Sequence, residues 1–155
     1  MIQTNTCTGW MQNWRYSEDG TSWGNTGGSM IDLQSVLNAW TAWTPTYTPG
    51  GSMTFTSVTT TTARYKKNGK TFTFELNVSG TTGGSASNNI SFTLPSGVTA
   101  KNSSYLVCVM NNNGTGTTGY VRFDGTNTAS LYKIDGGNFT LGTTGFTGAF
   151  TIEIN

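Results

Sequence analysis

The chain has 155 residues and a formal net charge of +1, with 10% charged and 12% aromatic residues. This composition excludes a disordered protein, since such chains are rich in charge and poor in aromatic residues. Eight basic residues face seven acidic ones, which is too little positive charge to neutralise a nucleic-acid backbone. We therefore expect one folded domain with a short arm, and no nucleic-acid partner.

Residues 1–42 are predicted to form an irregular arm that ends in a short helix. Ser29 can cap the helix over residues 30–39, and Asp32 completes the capping pattern. A helix of about ten residues is unstable alone in water, so it packs either on the β domain or against its own copies in a three-fold neck. Apolar residues of the arm are the candidate contacts between subunits, and they are Trp10, Trp14, Trp23, Leu33, Leu37 and Trp40.

Residues 43–155 show the pattern of an all-β domain. Residues 71–78 alternate apolar and polar side chains, and Asn68-Gly69 just before them is a hairpin signal. Residues 90–94 and 149–154 alternate in the same way. With glycine-rich and asparagine-rich turns between such segments, the sequence predicts an antiparallel β-sandwich or jelly roll. Further short strands are predicted over residues 120–123, 129–134 and 139–141.

Residues 105–110 form a continuous apolar run, Tyr-Leu-Val-Cys-Val-Met. Such a run is typical of a strand that is covered on both faces. Cys108 within it is predicted to be a buried small hydrophobic residue. Cys7 lies far away in the polar arm, so neither a disulfide nor a zinc site is expected.

The chain has no histidine, which removes the commonest general base and metal ligand. Asp124 and Asp135 could form the carboxylate pair of a glycan depolymerase, but each precedes a glycine, which is typical of a turn. No acidic cluster and no phosphate-binding loop are present. We therefore expect a protein that is not an enzyme and has no metal or cofactor.

Recognition of a polar ligand is the function that remains. Loops rich in Asn, Thr and Ser offer hydrogen bonds, and sugar sites often combine a flat ring with amides and carboxylates. The candidate ligand-binding residues are Tyr120, Asp124, Asn127 and Tyr132. The alternative for Tyr120 and Tyr132 is that they are ordinary strand residues.

A series of short motifs spans residues 43–95. They are Trp43-Thr44-Pro45-Thr46-Tyr47, Ala63-Arg64-Tyr65, Asn68-Gly69-Lys70, the run 72–78 followed by Ser79-Gly80-Thr81, and Ile90-Ser91-Phe92-Thr93-Leu94-Pro95. Their order and spacing resemble the β-sandwich module at the C-terminal end of phage tail-fibre and tail-spike proteins. The resemblance implies a homotrimer at the fibre tip that binds host cell-surface polysaccharide or another receptor.

The N-terminus has neither the basic region nor the apolar core of a signal peptide, and no apolar run is long enough to span a membrane. Together with the resemblance, this indicates a virion protein made in the host cytoplasm. The alternative is a purely structural virion part, such as a capsid decoration or collar protein. In that case the tryptophan-rich arm would dock onto other viral proteins.

Overall fold

A computed structural model describes residues 14–16, 23–25 and 39–155 of the chain. The chain divides into two compact units, Met1–Asn38 and Ala39–Asn155. Within the first unit the described residues form a two-stranded antiparallel ladder in which Tyr16 pairs with Trp23. The arm is therefore not irregular throughout. The segment predicted to be helical lies outside the described residues up to Asn38. Of the predicted contacts in the arm, only the side chain of Trp40 is described, and those of Trp10, Trp14, Trp23, Leu33 and Leu37 are not.

The second unit is all-β and antiparallel throughout, and no helix occurs between residues 39 and 155. The all-β prediction is confirmed. The strand bounds, including those of the first unit, are β1 Trp14–Tyr16, β2 Trp23–Asn25, β3 Thr41–Ala42, β4 Tyr47–Pro49, β5 Met53–Asn68, β6 Thr71–Gly84, β7 Asn89–Thr93, β8 Ser103–Asn112, β9 Thr115–Asp124, β10 Thr128–Lys133 and β11 Gly142–Glu153. Nine strands of the second unit pair in the order β3-β5-β6-β11-β8-β9-β10-β7-β4.

Strands β5 and β6 form the predicted hairpin, with Gly69 at the turn in the left-handed region at φ 56°. Alternation along β6 confirms the sequence pattern, since Phe72, Phe74, Leu76 and Val78 are all buried. The last strand, β11, buries its apolar residues in the same alternating way.

The sheet curls around a single core, which brings its two end regions together. The ring of Tyr47 on β4 lies 5.8 Å from the ring of Phe55 on β5. Trp43 donates from its ring nitrogen to the carbonyl of Thr93 at 3.2 Å, while its backbone bonds to Ala63. Contacts made by the Tyr47 and Trp43 side chains therefore join the two ends of the nine-stranded sheet, where strand pairing stops.

The run 105–110 lies in β8 as predicted, but the prediction that both of its faces are covered is wrong for the folded chain. Leu106, Cys108 and Met110 face the core, with Cys108 and Met110 buried. Tyr105, Val107 and Val109 point to the outer face and are 64%, 69% and 66% exposed. The reason is that the core lies on one side of the sheet only, so no element of residues 39–155 packs on the outer side of β8.

The predicted strand over residues 139–141 is also wrong, because this segment is a loop. Phe139 is buried at 2% exposure and its backbone N–H bonds to the carbonyl of Ser87 at 2.8 Å. The apolar side chain thus serves as an anchor that ties the loop to the core. Leu141, in contrast, is 37% exposed.

The Cys108 thiol is buried in the core, as predicted, and burial raises its pKa to about 11. Relative to the ordinary value of 9.0, two pKa units leave about 100-fold less thiolate at a given pH. We expect iodoacetamide at pH 8 to alkylate Cys108 at least about 100-fold more slowly in the folded chain than in guanidinium. Mass spectrometry of the Cys108 peptide measures both rates, and equal rates would contradict the burial.

The same raised pKa has a consequence for stability. As pH rises, the Cys108 thiol loses its proton near pH 9 in the unfolded chain but only near pH 11 in the folded chain. The free energy of unfolding should therefore fall between about pH 9 and pH 11, and Cys108 should not affect it at lower pH.

Candidate functional site

The outer face of β8, β9 and β10 is the most apolar exposed surface within residues 39–155. Pairing register places Val107 of β8 beside Tyr120 of β9, and Tyr120 beside Tyr132 of β10. The backbone N–H of Ile134 bonds to the Thr118 carbonyl, one step beyond the β9–β10 ladder, and Ile134 is 57% exposed. We name this surface the tyrosine–valine face, and it consists of Tyr105, Val107, Val109, Tyr120, Tyr132 and Ile134.

Three tyrosine rings of this face lie side by side on neighbouring strands. The rings of Tyr120 and Tyr132 stack with centroids 5.2 Å apart and an interplanar angle of 14°. Tyr105 packs against Tyr120 at 5.8 Å and 52°. Tyr120 and Tyr132 thus cover each other and are only part-exposed, whereas the ring of Tyr105 is largely free.

Arg122 connects the rings to the end of β9. Its guanidinium group forms two hydrogen bonds with the Asp124 carboxylate, at 2.7 and 2.9 Å. Its Cζ lies 5.7 Å from the centre of the Tyr132 ring, within the range of a cation–π contact. The hydrogen bond to Asp124, followed by the charge interaction with Tyr132, raises the pKa of Arg122. Arg122 is therefore held in one position although it lies at the surface.

The turn between β9 and β10 follows directly and is fixed by its backbone. The carbonyl of Asn127 accepts from the N–H of Leu94 at 2.8 Å, and that of Thr126 accepts from Ala100 at 3.2 Å. Gly125 takes the left-handed conformation at φ 72° that the turn requires. The side chains of Asp124, Thr126 and Asn127 remain exposed. We name Arg122, Asp124, Thr126 and Asn127 the polar rim.

The structure brings together most of the predicted ligand-binding residues. Tyr120 and Tyr132 stack directly, and Asp124 joins them through Arg122. Asn127 lies apart from the rings, on the turn beyond Asp124. Sequence reasoning missed Tyr105 and Arg122. The alternation of Arg122 with the apolar Val121 and Phe123 was the signal that could have placed Arg122 on the outer face. Tyr105 begins a continuous apolar run, which carries no such signal.

A second, polar surface lies on the outer side of β5, β6 and β11. It is a shallow cleft of about 120 Å³ lined by Thr62, Glu75, Leu76, Asn77, Thr147 and Gly148. Glu75 accepts from Arg64 at 2.7 Å. The ring of Trp40, a predicted neck contact, lies 4.9 Å from Arg64 Cζ and 5.1 Å from Lys66 Nζ. Trp40 thus contacts cations of β5 within its own unit.

Each of the four carboxylate side chains among residues 39–155 is paired with a cation. Asp124 pairs with Arg122, and Asp135 pairs with Lys133 at 3.1 Å. The backbone N–H of Gly137 and then Lys133 lower the pKa of Asp135, as expected for a carboxylate that closes a turn. No group of three His, Cys, Asp or Glu side chains that could hold a metal occurs within this range. Nor does the described part of the chain contain a helix long and apolar enough to cross a membrane.

No family model, no curated protein and no solved structure matches the chain.

Proposed function

We propose that the chain is a non-enzymatic receptor-binding head of a phage tail fibre, and that its polar rim binds host cell-surface glycan or another surface receptor. The observation that carries this proposal is the β9–β10 turn, whose backbone is fixed from inside while Asp124, Thr126 and Asn127 remain exposed. The order and spacing of the motifs over residues 43–95 supply the link to tail fibres.

The fixed turn favours recognition for a physical reason. A loop that is already ordered loses little conformational entropy when a ligand binds, so that its hydrogen bonds contribute fully to affinity. The rim offers the Asn127 amide and a carboxylate whose charge Arg122 balances, while the Thr126 hydroxyl bonds to Thr128 within the turn. A neutral ligand that is rich in hydroxyl groups fits such a set, because it both donates and accepts hydrogen bonds.

The finer description of the fold is part of the same proposal. The β11–β8 ladder has only four register pairs, from Thr144–Asn112 to Thr147–Val109. We propose that the strands β3-β5-β6-β11 and β8-β9-β10-β7-β4 are the two layers of a β-sandwich or jelly roll. The head would form a homotrimer at the tip of the virion's fibre and would be made in the host cytoplasm.

Loss of the exposed Asn127 amide should weaken binding without affecting the fold. A hydrogen bond to a neutral partner contributes about 1 kcal/mol, so Asn127→Ala should lower affinity roughly 5-fold. Asp124→Asn should have a similar or larger effect, because it also releases Arg122 from its bidentate bond. Binding of the labelled full chain to a panel of bacterial cells and to a glycan array measures both effects.

Asn138→Ala is the matched control, because Asn138 is an exposed asparagine on a different loop. It should leave binding unchanged. Binding by the wild type with no loss in either rim variant would overturn the rim as the site. A wild-type chain that shows no selectivity among cells or glycans would overturn the receptor-binding function itself.

A purely structural virion part is the second candidate, and the aliphatic side chains of the tyrosine–valine face favour it. Val107, Val109 and Ile134 are more than half exposed and fit a protein surface better than a sugar. A structural part would bind no cell in the same assay and would be found only in assembled particles.

A further inference from the structure

The turn between β5 and β6 carries an exposed asparagine–glycine pair. Asn68 ends β5, where it pairs with Thr71, and Gly69 opens the two-residue turn at φ 56°. Both residues are exposed, and a Cβ atom at Gly69 would have no heavy atom within 4 Å. No backbone carbonyl among residues 39–155 accepts from the Gly69 N–H. The amide of Asn68 and the backbone nitrogen of Gly69 therefore both meet solvent.

Three lysines surround this pair, and no carboxylate of residues 39–155 neutralises them. Lys66 is two residues before Asn68 and shares its face of β5, while Lys67 and Lys70 flank the pair directly. The carboxylate side chains of this part of the chain pair with other cations, which are Arg64, Lys101, Arg122 and Lys133. The excess positive charge of residues 39–155 is therefore concentrated at one hairpin tip.

An asparagine that precedes a glycine can lose ammonia without an enzyme. The glycine nitrogen gives up its proton and attacks Cγ of the asparagine, the amide nitrogen leaves as ammonia, and a five-membered succinimide ring remains. Water then opens the ring at one of its two carbonyls, which gives aspartate or isoaspartate. Nothing is oxidised or reduced. Glycine favours the reaction because no Cβ hinders the approach of its nitrogen.

We propose that Asn68 is a site of spontaneous deamidation, in which Gly69 supplies the nucleophile and the surrounding lysines stabilise the negative charge that develops. The attacking nitrogen and the oxygen on Cγ both become more negative during the attack, and nearby cations favour such charge. The Asn68–Thr71 pair closes the end of the ladder, so that opening of the turn alone brings the nitrogen of Gly69 onto Cγ.

The product changes the hairpin tip in two ways. A carboxylate replaces a neutral amide among three lysines, which lowers the local charge by one unit. In the isoaspartate form the backbone also gains one carbon atom at the end of β5, where it disturbs the pairing with Thr71. No residue of the polar rim takes part, so the modification is independent of the proposed receptor site.

The turn between β8 and β9 provides an internal control, because it contains the same dipeptide in a protected form. The N–H of Gly114 donates to Asn111 Oδ1 at 2.7 Å and to the Thr143 carbonyl at 3.2 Å. The amide oxygen of Asn113 lies directly against Gly142. Two acceptors hold the proton that the reaction must remove, and the loop itself carries no charged residue. Asn113 should therefore react more slowly although it is exposed.

The test follows both sites in the full chain at mildly alkaline pH. Peptide mass spectrometry detects the replacement of an amide NH2 by OH at each asparagine. In the folded chain, Asn68 should react at least about 5-fold faster than Asn113, because only Gly114 has to break two hydrogen bonds first. In guanidinium the two sites should react at similar rates. Equal rates in the folded chain would overturn the proposal.

The role of the lysines is tested with paired variants. Lys67→Gln together with Lys70→Gln should slow the reaction at Asn68 several-fold and leave the rate at Asn113 unchanged. Lys66 is kept in both variants, since its Nζ lies 5.1 Å from the centre of the Trp40 ring. The matched control replaces Lys67 and Lys70 with arginine, which preserves the charge and should preserve the rate. High salt should slow Asn68 in the wild type for the same reason. An Asn68 rate that neither the glutamine variant nor salt changes would contradict the stabilisation by the lysines.

Discussion

Replacing Phe74 with alanine should lower the free energy of unfolding by about 3–5 kcal/mol, the usual range for removing a buried phenylalanine. Phe74 has no solvent exposure. Its ring lies at the centre of the aromatic core and contacts rings from three other strands, from the segment between β3 and β4, and from its own strand. The partner rings are Phe150 at 4.9 Å, Phe72 at 5.3 Å, Trp43 at 5.8 Å, Phe123 at 6.1 Å and Phe92 at 6.4 Å.

The large effect follows from where these partners lie. Phe150 is on β11, Phe123 is on β9 and Phe92 is on β7, so a single side chain links strands from both halves of the sheet. Alanine would leave a cavity that cannot collapse without moving strands whose ladders fix their positions.

Urea unfolding measures the effect, with every variant compared at the same protein concentration because association adds to apparent stability. Phe74→Leu is the graded control, which keeps an apolar side chain of similar size and should cost less than about 1.5 kcal/mol. A loss below about 1 kcal/mol for alanine would show that the core adapts around this position.

The strands that could be predicted from sequence are those with one face in the core and one in water. In β6 and β11 the apolar residues alternate with threonine and other polar residues, so the period of two is visible in the sequence itself. The hairpin between β5 and β6 was predictable because Asn68-Gly69 supplies the positive φ that a tight turn needs.

The wrong predictions concern segments in which some apolar residues are buried in the core and others are exposed. In β8 both faces carry apolar side chains, but only the inner set belongs to the core of the chain. A sequence window cannot distinguish burial in a core from exposure on an apolar face. Residues 139–141 were predicted to be a strand because they contain apolar residues, but they form a loop. The single buried ring of Phe139 is enough to anchor this irregular segment to the core.

The candidate site depends on register, which the sequence does not reveal. Tyr105, Tyr120 and Tyr132 are far apart in the chain and become neighbours only because Tyr105 pairs with Arg122, and Tyr120 pairs with Tyr132. Two of these tyrosines were predicted from their closeness to polar loops. Tyr105 was missed because its strand was expected to be covered on both faces. This one wrong prediction therefore affected both the description of the fold and the choice of site residues.

Replacing Gly119 with alanine should lower the free energy of unfolding by about 1–3 kcal/mol, the range for forcing an extra group into a packed core. Gly119 is buried on the inner side of β9. A Cβ atom there would lie 2.8 Å from the backbone carbonyl oxygen of Tyr132, and 3.3 Å from both Cys108 Sγ and Met110 Sδ. The sulfur atoms can shift, but the carbonyl belongs to β10 and moves only with its strand. We therefore expect the β9–β10 ladder to open locally and the Tyr120–Tyr132 stack above it to loosen.

Gly116 provides a matched control on the same strand. A Cβ atom at Gly116 would have no heavy atom within 4 Å, so Gly116→Ala should change stability by less than about 0.5 kcal/mol. Thermal unfolding of the two variants at equal concentration measures the difference, and near-ultraviolet circular dichroism reports on the tyrosine stack. Both changes replace glycine with alanine in β9, so strand propensity and backbone entropy act alike on both. A loss confined to Gly119→Ala would trace the effect to the close approach of the Tyr132 carbonyl, whereas equal losses would assign it to the strand backbone and contradict the close packing of β9 on β10.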